Sequence, residues 1–178
     1  MMKRSAWLLI STVLLCMTGP AEAQKSAGEH VDDSATTARV KLALLEQSIS
    51  DAADINVETS KGVVQLAGWV DSGEIKVQAG RIASETEGVA ALSNRLQIRS
   101  GKRSAGTALD DTILAAKVKL ELAKNDSTNV LKVNVEVRSG VVELSGFVNT
   151  YEERDVALSL IAAVDGVREV INSIDVTR

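Results

Sequence analysis

The stretch "KGVVQLAGWVDS" at residues 61–72 returns as "SGVVELSGFVNT" at 139–150. In the first version Val64, Leu66 and Val70 point to one side of an extended strand, with Gly68 where no side chain is wanted, while Val63, Gln65, Ala67 and Trp69 point to the other. The runs just upstream, "INVETS" and "VNVEVR", also alternate apolar and polar residues. Lys61-Gly62 and Ser139-Gly140 therefore sit at the tips of two antiparallel hairpins, where glycine supplies the positive φ that such turns need.

The repetition extends well beyond the hairpin. At an offset of 78, residues 33–100 align with 111–178 without a gap and 20 of the 68 pairs are identical, which indicates duplication of a module. Upstream of each hairpin an amphipathic helix is expected. From Asp33, placed as its N-cap, Ala35, Ala38, Leu42, Leu45 and Ile49 form one face, matched by Ile113, Ala116, Leu120 and Ala123. Downstream, Ile75, Ala79, Ile82 and Ala83, and then Val156, Ala157, Leu160 and Val164, mark a second helix. Gly88 and Gly166 end it, and a last strand follows. Each module thus reads α-β-β-α-β, and the fold class is α+β: two tandem modules, each a mixed three-stranded sheet packed on two helices. The boundaries expected are a leader at 1–23, a flexible tail at 24–32, modules at 33–100 and 111–178, and a linker at 101–110.

The leader has a basic start at Lys3 and Arg4, the apolar run "AWLLISTVLLCM", and "AEA" at 21–23 with small residues at the −3 and −1 positions of a cleavage site. This is the pattern of a secretory signal peptide, which places the mature protein in the periplasm with no transmembrane span. Cys16 raises lipidation as a rival, but Leu15 stands before it where lipid-acceptor cysteines follow a small residue. Cys16 is the chain's one cysteine, so a mature chain beginning at Gln24 has no disulfide and no thiolate chemistry.

Lys3, Arg4 and Glu22 leave with the leader, taking the chain's 20 basic and 24 acidic residues to 18 and 23, a net charge of −5. That balance opposes bulk attraction to nucleic acid and to anionic lipid alike, both of which depend on concentrated positive charge. The single histidine, His30, lies in the tail, so residue types offer no His-assisted nucleophile and no His/Cys metal cluster; no catalytic residue, metal or cofactor is assigned. The repeated glycines contain neither a GxGxxG nor a P-loop Lys-Ser/Thr pair and read as turn and packing positions.

The hairpin phrase "GVVxLxGxV", the alanine in the following helix and the closing "GVxxVxNxI" together resemble the BON domain. The second copy fits with "SGVVELSGFV" and "DGVREVINSIDV"; the first departs at "EGVAALSNRLQI", where Ala91 and Leu92 fill the places before the asparagine. A leader followed by two such modules is similar in layout to the periplasmic osmotically inducible protein Y family. The resemblance implies a non-enzymatic envelope-stress protein that binds anionic phospholipid surfaces. The alternatives it leaves open are a holdase-type chaperone for unfolded exported proteins and a structural accessory of another envelope protein.

Two sets of residues are candidates for contact. Trp69 and Phe147 point away from the expected helix-covered face, either into a junction between modules or towards a membrane or client. On the first helix Val40 and Leu44 lie nearly opposite Ala38 and Leu42, and Val118 and Leu122 repeat them beside Lys119. This second stripe is expected to meet something other than its own sheet. Val40 and Leu44 are assigned to the junction between modules, and Val118, Lys119 and Leu122 to a bilayer headgroup region.

Overall fold

The computed structural model describes residues 27–49, 51–99, 101, 104–125 and 133–177; the expected leader at 1–23, with Cys16, lies outside these. In module one the elements are α1 (Ala27–Glu46), a 3-10 turn (Ala52–Asp54), β1 (Ile55–Ser60), β2 (Val63–Val70), α2 (Gly73–Glu85), and a third strand in two pieces, β3 (Ala91–Asn94) and β4 (Gln97–Ile98). Module two has α3 (Ala105–Ala123), β5 (Val133–Arg138), β6 (Val141–Val148), α4 (Tyr151–Ala162) and β7 (Glu169–Val176). The α-β-β-α-β order holds in both. Helix α1 begins inside the stretch expected as flexible tail, and α3 begins inside the expected linker, where Ser104 accepts the Thr107 N–H as an N-cap.

Each sheet is mixed. β2 pairs antiparallel with β1, from Ile55 opposite Gly68 to Ser60 opposite Val63, and parallel with β3 and β4; β6 does the same with β5 and β7. The hairpin tips have positive φ at both central residues, Lys61 and Gly62 in one and Ser139 and Gly140 in the other, the type I′ turn suited to twisted strands. The repeated asparagines, Asn94 and Asn172, each accept the N–H two residues on, from Leu96 and Ile174, and so stitch the third strand at the same point in both copies.

The core of each module lies between one sheet face and its two helices. In module one it joins Val40 and Leu44 of α1 to Val57, Val64, Leu66, Val70, Ala79, Ile82, Ala83 and Leu96. In module two Leu114, Val118 and Leu122 of α3 meet Val135, Val142, Leu144, Ala157 and Ile161. This inverts the expected helix face: Val40 and Val118 are fully buried, whereas Leu42 and Leu120 are 55% and 60% exposed.

The reason lies at the head of the helix. Asp33 is not an N-cap but a buried residue within α1, and its carboxylate accepts the N–H groups of Lys61 and Gly62 at 2.8 and 2.9 Å. Asp111 does the same for Ser139 and Gly140 at 2.8 and 3.0 Å. Turning that aspartate onto the hairpin tip brings residues 3, 7 and 11 further on, Thr36, Val40 and Leu44, onto the sheet. Removing one partner strands two turn amides, and charge-assisted bonds are the stronger kind. Asp33→Ala should therefore lower the stability of its module by about 2–3 kcal/mol, read as a shift in the urea midpoint, and Asp33→Asn should recover part of it.

Candidate functional site

The sheet faces turned away from the helices meet each other. Gln65 and Glu143 occupy equivalent positions, each 1% exposed, and reach reciprocally across the junction. Gln65 Oε1 accepts the Gly146 N–H at 2.7 Å, and Glu143 Oε2 accepts the Gly68 N–H at 3.0 Å. The two glycines, also equivalent, have φ of +117° and +111°. Gln65 Nε2 further donates to the Ser173 carbonyl at 2.8 Å and to Asp175 at 2.6 Å, while Ser173 donates its hydroxyl to Glu143 at 2.7 Å. Arg95 pairs with Asp175 at 2.7 Å on the rim. The modules are thus joined sheet to sheet about a local two-fold relation, in layers helix, sheet, sheet, helix.

Trp69 and Phe147 lie in this seam, 9% and 8% exposed, on the same strand faces as Gln65 and Glu143. Trp69 borders a small cleft with Asp54 on one side and Glu136 and Arg138 of the other module on its far side. Trp69 thus stands between residues of both modules, and Phe147 is buried at the equivalent position of β6. Val40, Leu44, Val118 and Leu122 are in neither a junction nor a surface: they belong to the cores of their own modules, which corrects their assignment. The face opposite Leu42 and Leu120 is the one the sheet covers, so the stripe left for contact is the one expected to be core.

The seam is acidic. Burial, together with the charges of Glu143 and Asp54, pushes the Glu136 carboxyl up to about 7 against the pull of Lys119. Burial also raises Glu143, although Ser173, the Gly68 amide and Lys76 work the other way. Asp175 is opposed by burial, but hydrogen bonds from Ser93, Gln65 and Arg95 hold it below the usual carboxyl range.

The outward surface of module two presents different chemistry. On α3, Leu109, Ile113 and Leu120 fall within about 40° of one another around the helix, with Lys124 and Lys117 within about 40° more. The three apolar side chains are 64%, 50% and 60% exposed. Beside them a groove of about 490 Å³ runs between α3 and α4, lined by Leu120, Leu160 and Val164 together with Lys117, Lys124, Glu121 and Asp165. Lys124 is tied to Glu121 at 2.9 Å, an exposed pair of little energetic weight. Lys119 is exposed but projects to another side of the helix, near enough to Glu136 to bear on its charge. On α1 Leu42 is the counterpart of Leu120 and Leu45 is exposed beside it, but Ala35 stands in the place of Ile113, with Arg39 in the place of Lys117 and Glu46 in the place of Lys124. Because the helices form the two outer layers, these faces point in opposite directions.

The signal that could have revealed the stripe was present: Leu109, Ile113 and Leu120 share their face with two lysines, whereas Leu114, Val118 and Leu122 share theirs with Asp111. Among the described residues no helix is long and apolar enough to cross a membrane, and no group of three or more His, Cys, Asp or Glu is placed to hold a metal ion.

The family model described as the BON domain matches residues 32–100 and 110–178. The chain is similar to the osmotically-inducible protein Y of Escherichia coli, with 38% identity over 83% of this chain and 74% of the relative. It is also similar to the outer membrane lipoprotein DolP of Haemophilus influenzae, with 28% identity over 96% of this chain and 94% of the relative.

Proposed function

The chain belongs to the BON domain family, and from that premise we propose that it is a non-enzymatic periplasmic protein of the osmotic-stress response that docks on anionic phospholipid surfaces through module two. The observation that carries this reading is the exposed apolar stripe of α3, Leu109, Ile113 and Leu120, flanked by Lys117 and Lys124. A helix with that cross-section lies in the headgroup region, its apolar residues among acyl chains and its lysines against phosphate. The names of its relatives support the setting, one being osmotically inducible and the other an outer membrane lipoprotein.

Net negative charge opposes approach to an anionic surface, so the orientation matters. Only one outer layer can face a given bilayer, and Glu46 makes the α1 stripe the poorer of the two for this purpose. Each lysine near an anionic surface contributes about 1 kcal/mol, and each buried leucine about 1.5–3 kcal/mol.

The test is sedimentation with vesicles of graded anionic content. Leu120→Asp combined with Lys117→Glu should weaken binding at least about tenfold, and high salt should weaken the wild type. Leu42→Asp on the opposite layer should leave binding near wild type. Equal pelleting of wild type and the Leu120/Lys117 variant would refute the α3 site. If the wild type ignores vesicles but suppresses aggregation of an unfolding exported protein, the holdase reading replaces this one.

A further inference from the structure

The seam between the modules is built asymmetrically from symmetric parts. Where module one uses the neutral Gln65, module two uses Glu143, and both make the same bond to the facing glycine. An amide therefore suffices for the bond to the facing glycine, while at Glu143 the second oxygen also accepts, from the Ser173 hydroxyl. A second carboxyl, Glu136 of β5, projects into the same seam, its Oε2 3.3 Å from the space a Cβ on Gly68 would fill. We propose that the seam is a proton-sensitive joint, in which Glu136 and Glu143 hold the two modules together most firmly in mild acid and let them part more readily as the pH rises.

The surroundings of these groups decide the sign. Glu136 is faced by Asp54 from the turn before β1, by Glu143 from β6 and by Lys119 from α3, and Arg138 lines the same cleft. Asp54 is itself held by Arg99 at 2.9 Å, with Asp51 and Asp71 on the same guanidinium, so that cation is already committed to three acids. Glu143 receives the Gly68 N–H and the Ser173 hydroxyl, with Lys76 as its cation. Arg95 is engaged with Asp175. When both glutamates are ionised, two carboxylates stand on paired positions of β5 and β6, Glu143 buried and Glu136 partly so at the edge of a cleft; parting the modules rehydrates them.

In the closed seam Glu136 titrates at about 7 rather than at the ordinary 4.5. A carboxyl raised by closure weakens the closed state progressively as the pH rises from the ordinary carboxyl range to about 7, above which the penalty is constant. The penalty is relieved as the pH falls through about 7, and relief is complete below the ordinary carboxyl range. Opening also exposes Trp69 and Phe147, which the seam otherwise covers.

The amides of Gly68 and Gly146 are donated across the seam and so report its opening directly. In the full chain, their hydrogen-exchange protection, corrected for intrinsic exchange, should fall by about tenfold or more between about pH 5 and about pH 7.5. Core amides on the helix-covered face, such as Leu66 and Leu144, should not follow. Glu136→Gln with Glu143→Gln should hold protection level across the same range. Protection that is independent of pH in the wild type, or a full drop that survives in the double variant, would overturn the proposal. Should the double variant lose its fold by circular dichroism, carbon-detected NMR titration of Glu136 in the wild type decides: a midpoint in the ordinary carboxyl range overturns the proposal, and one near neutrality supports it.

Discussion

Gly68→Ala should unfold or nearly unfold module one, with a loss of about 3 kcal/mol or more in urea denaturation followed by far-UV circular dichroism. Gly68 sits within β2 at a φ of +111°, a backbone conformation that a side chain strongly disfavours. A Cβ there would press on the carbonyl oxygen of Asp54, a backbone atom with little room to give. The same residue donates its N–H to the buried Glu143, so any shift that relieves the clash strands a carboxylate in the seam. Strain, overlap and a lost charge-assisted bond act together. Gly106→Ala is the contrasting case: Gly106 lies in the first turn of α3, the nearest atom to its added Cβ is 4.0 Å away, and alanine is the better helix former. That substitution should be neutral or stabilising by up to about 1 kcal/mol. A Gly68→Ala protein with a wild-type midpoint would remove the argument for a required glycine in the seam.

Val118→Asp should abolish the cooperative melting of module two, while Leu120→Asp, two residues away, should leave it within about 0.5 kcal/mol of wild type. Val118 is fully buried in the apolar cluster that also holds Leu114, Leu122 and Leu144. Burying a carboxylate there costs about 4 kcal/mol or more, or else forces the group to bind a proton. Leu120 is 60% exposed, and a charge there stays in water. Differential scanning calorimetry of the two variants distinguishes the two faces of α3 without reference to any ligand. It also guards the vesicle experiment, because a variant that fails to bind lipid after losing its fold says nothing about the stripe. If Leu120→Asp were the one to unfold, the assignment of the outward face would be reversed.

Much of the fold is legible without coordinates, because it depends on local chemistry. Strand alternation of period two and Lys-Gly or Ser-Gly at a hairpin tip are properties of neighbouring residues. The 78-residue offset adds a second, independent reading of every element. The first helix is harder, since apolar residues occupy two of its sides: Ala38, Leu42 and Leu45 on one, Val40 and Leu44 on the other. Periodicity favours neither. The choice is made by Asp33 and Asp111, whose carboxylates must reach hairpin amides 28 and 29 residues away. Read as an N-cap, that aspartate conceals its role; read as a polar residue in register with Val40 and Leu44, it points to a distant partner.

Order and kind of element thus follow from residues within a turn or two of one another, and the duplication from the 78-residue offset, both without coordinates. The buried side of α1 and α3, the lysine-flanked stripe that this leaves outside, and the seam that encloses Trp69 and Phe147 follow only from the tertiary structure. Gln65 and Glu143 are polar residues on an alternating strand, which in isolation belong in water. They are buried because each meets a glycine N–H of the other module, 81 and 75 positions away, and no local pattern encodes a bond over that distance.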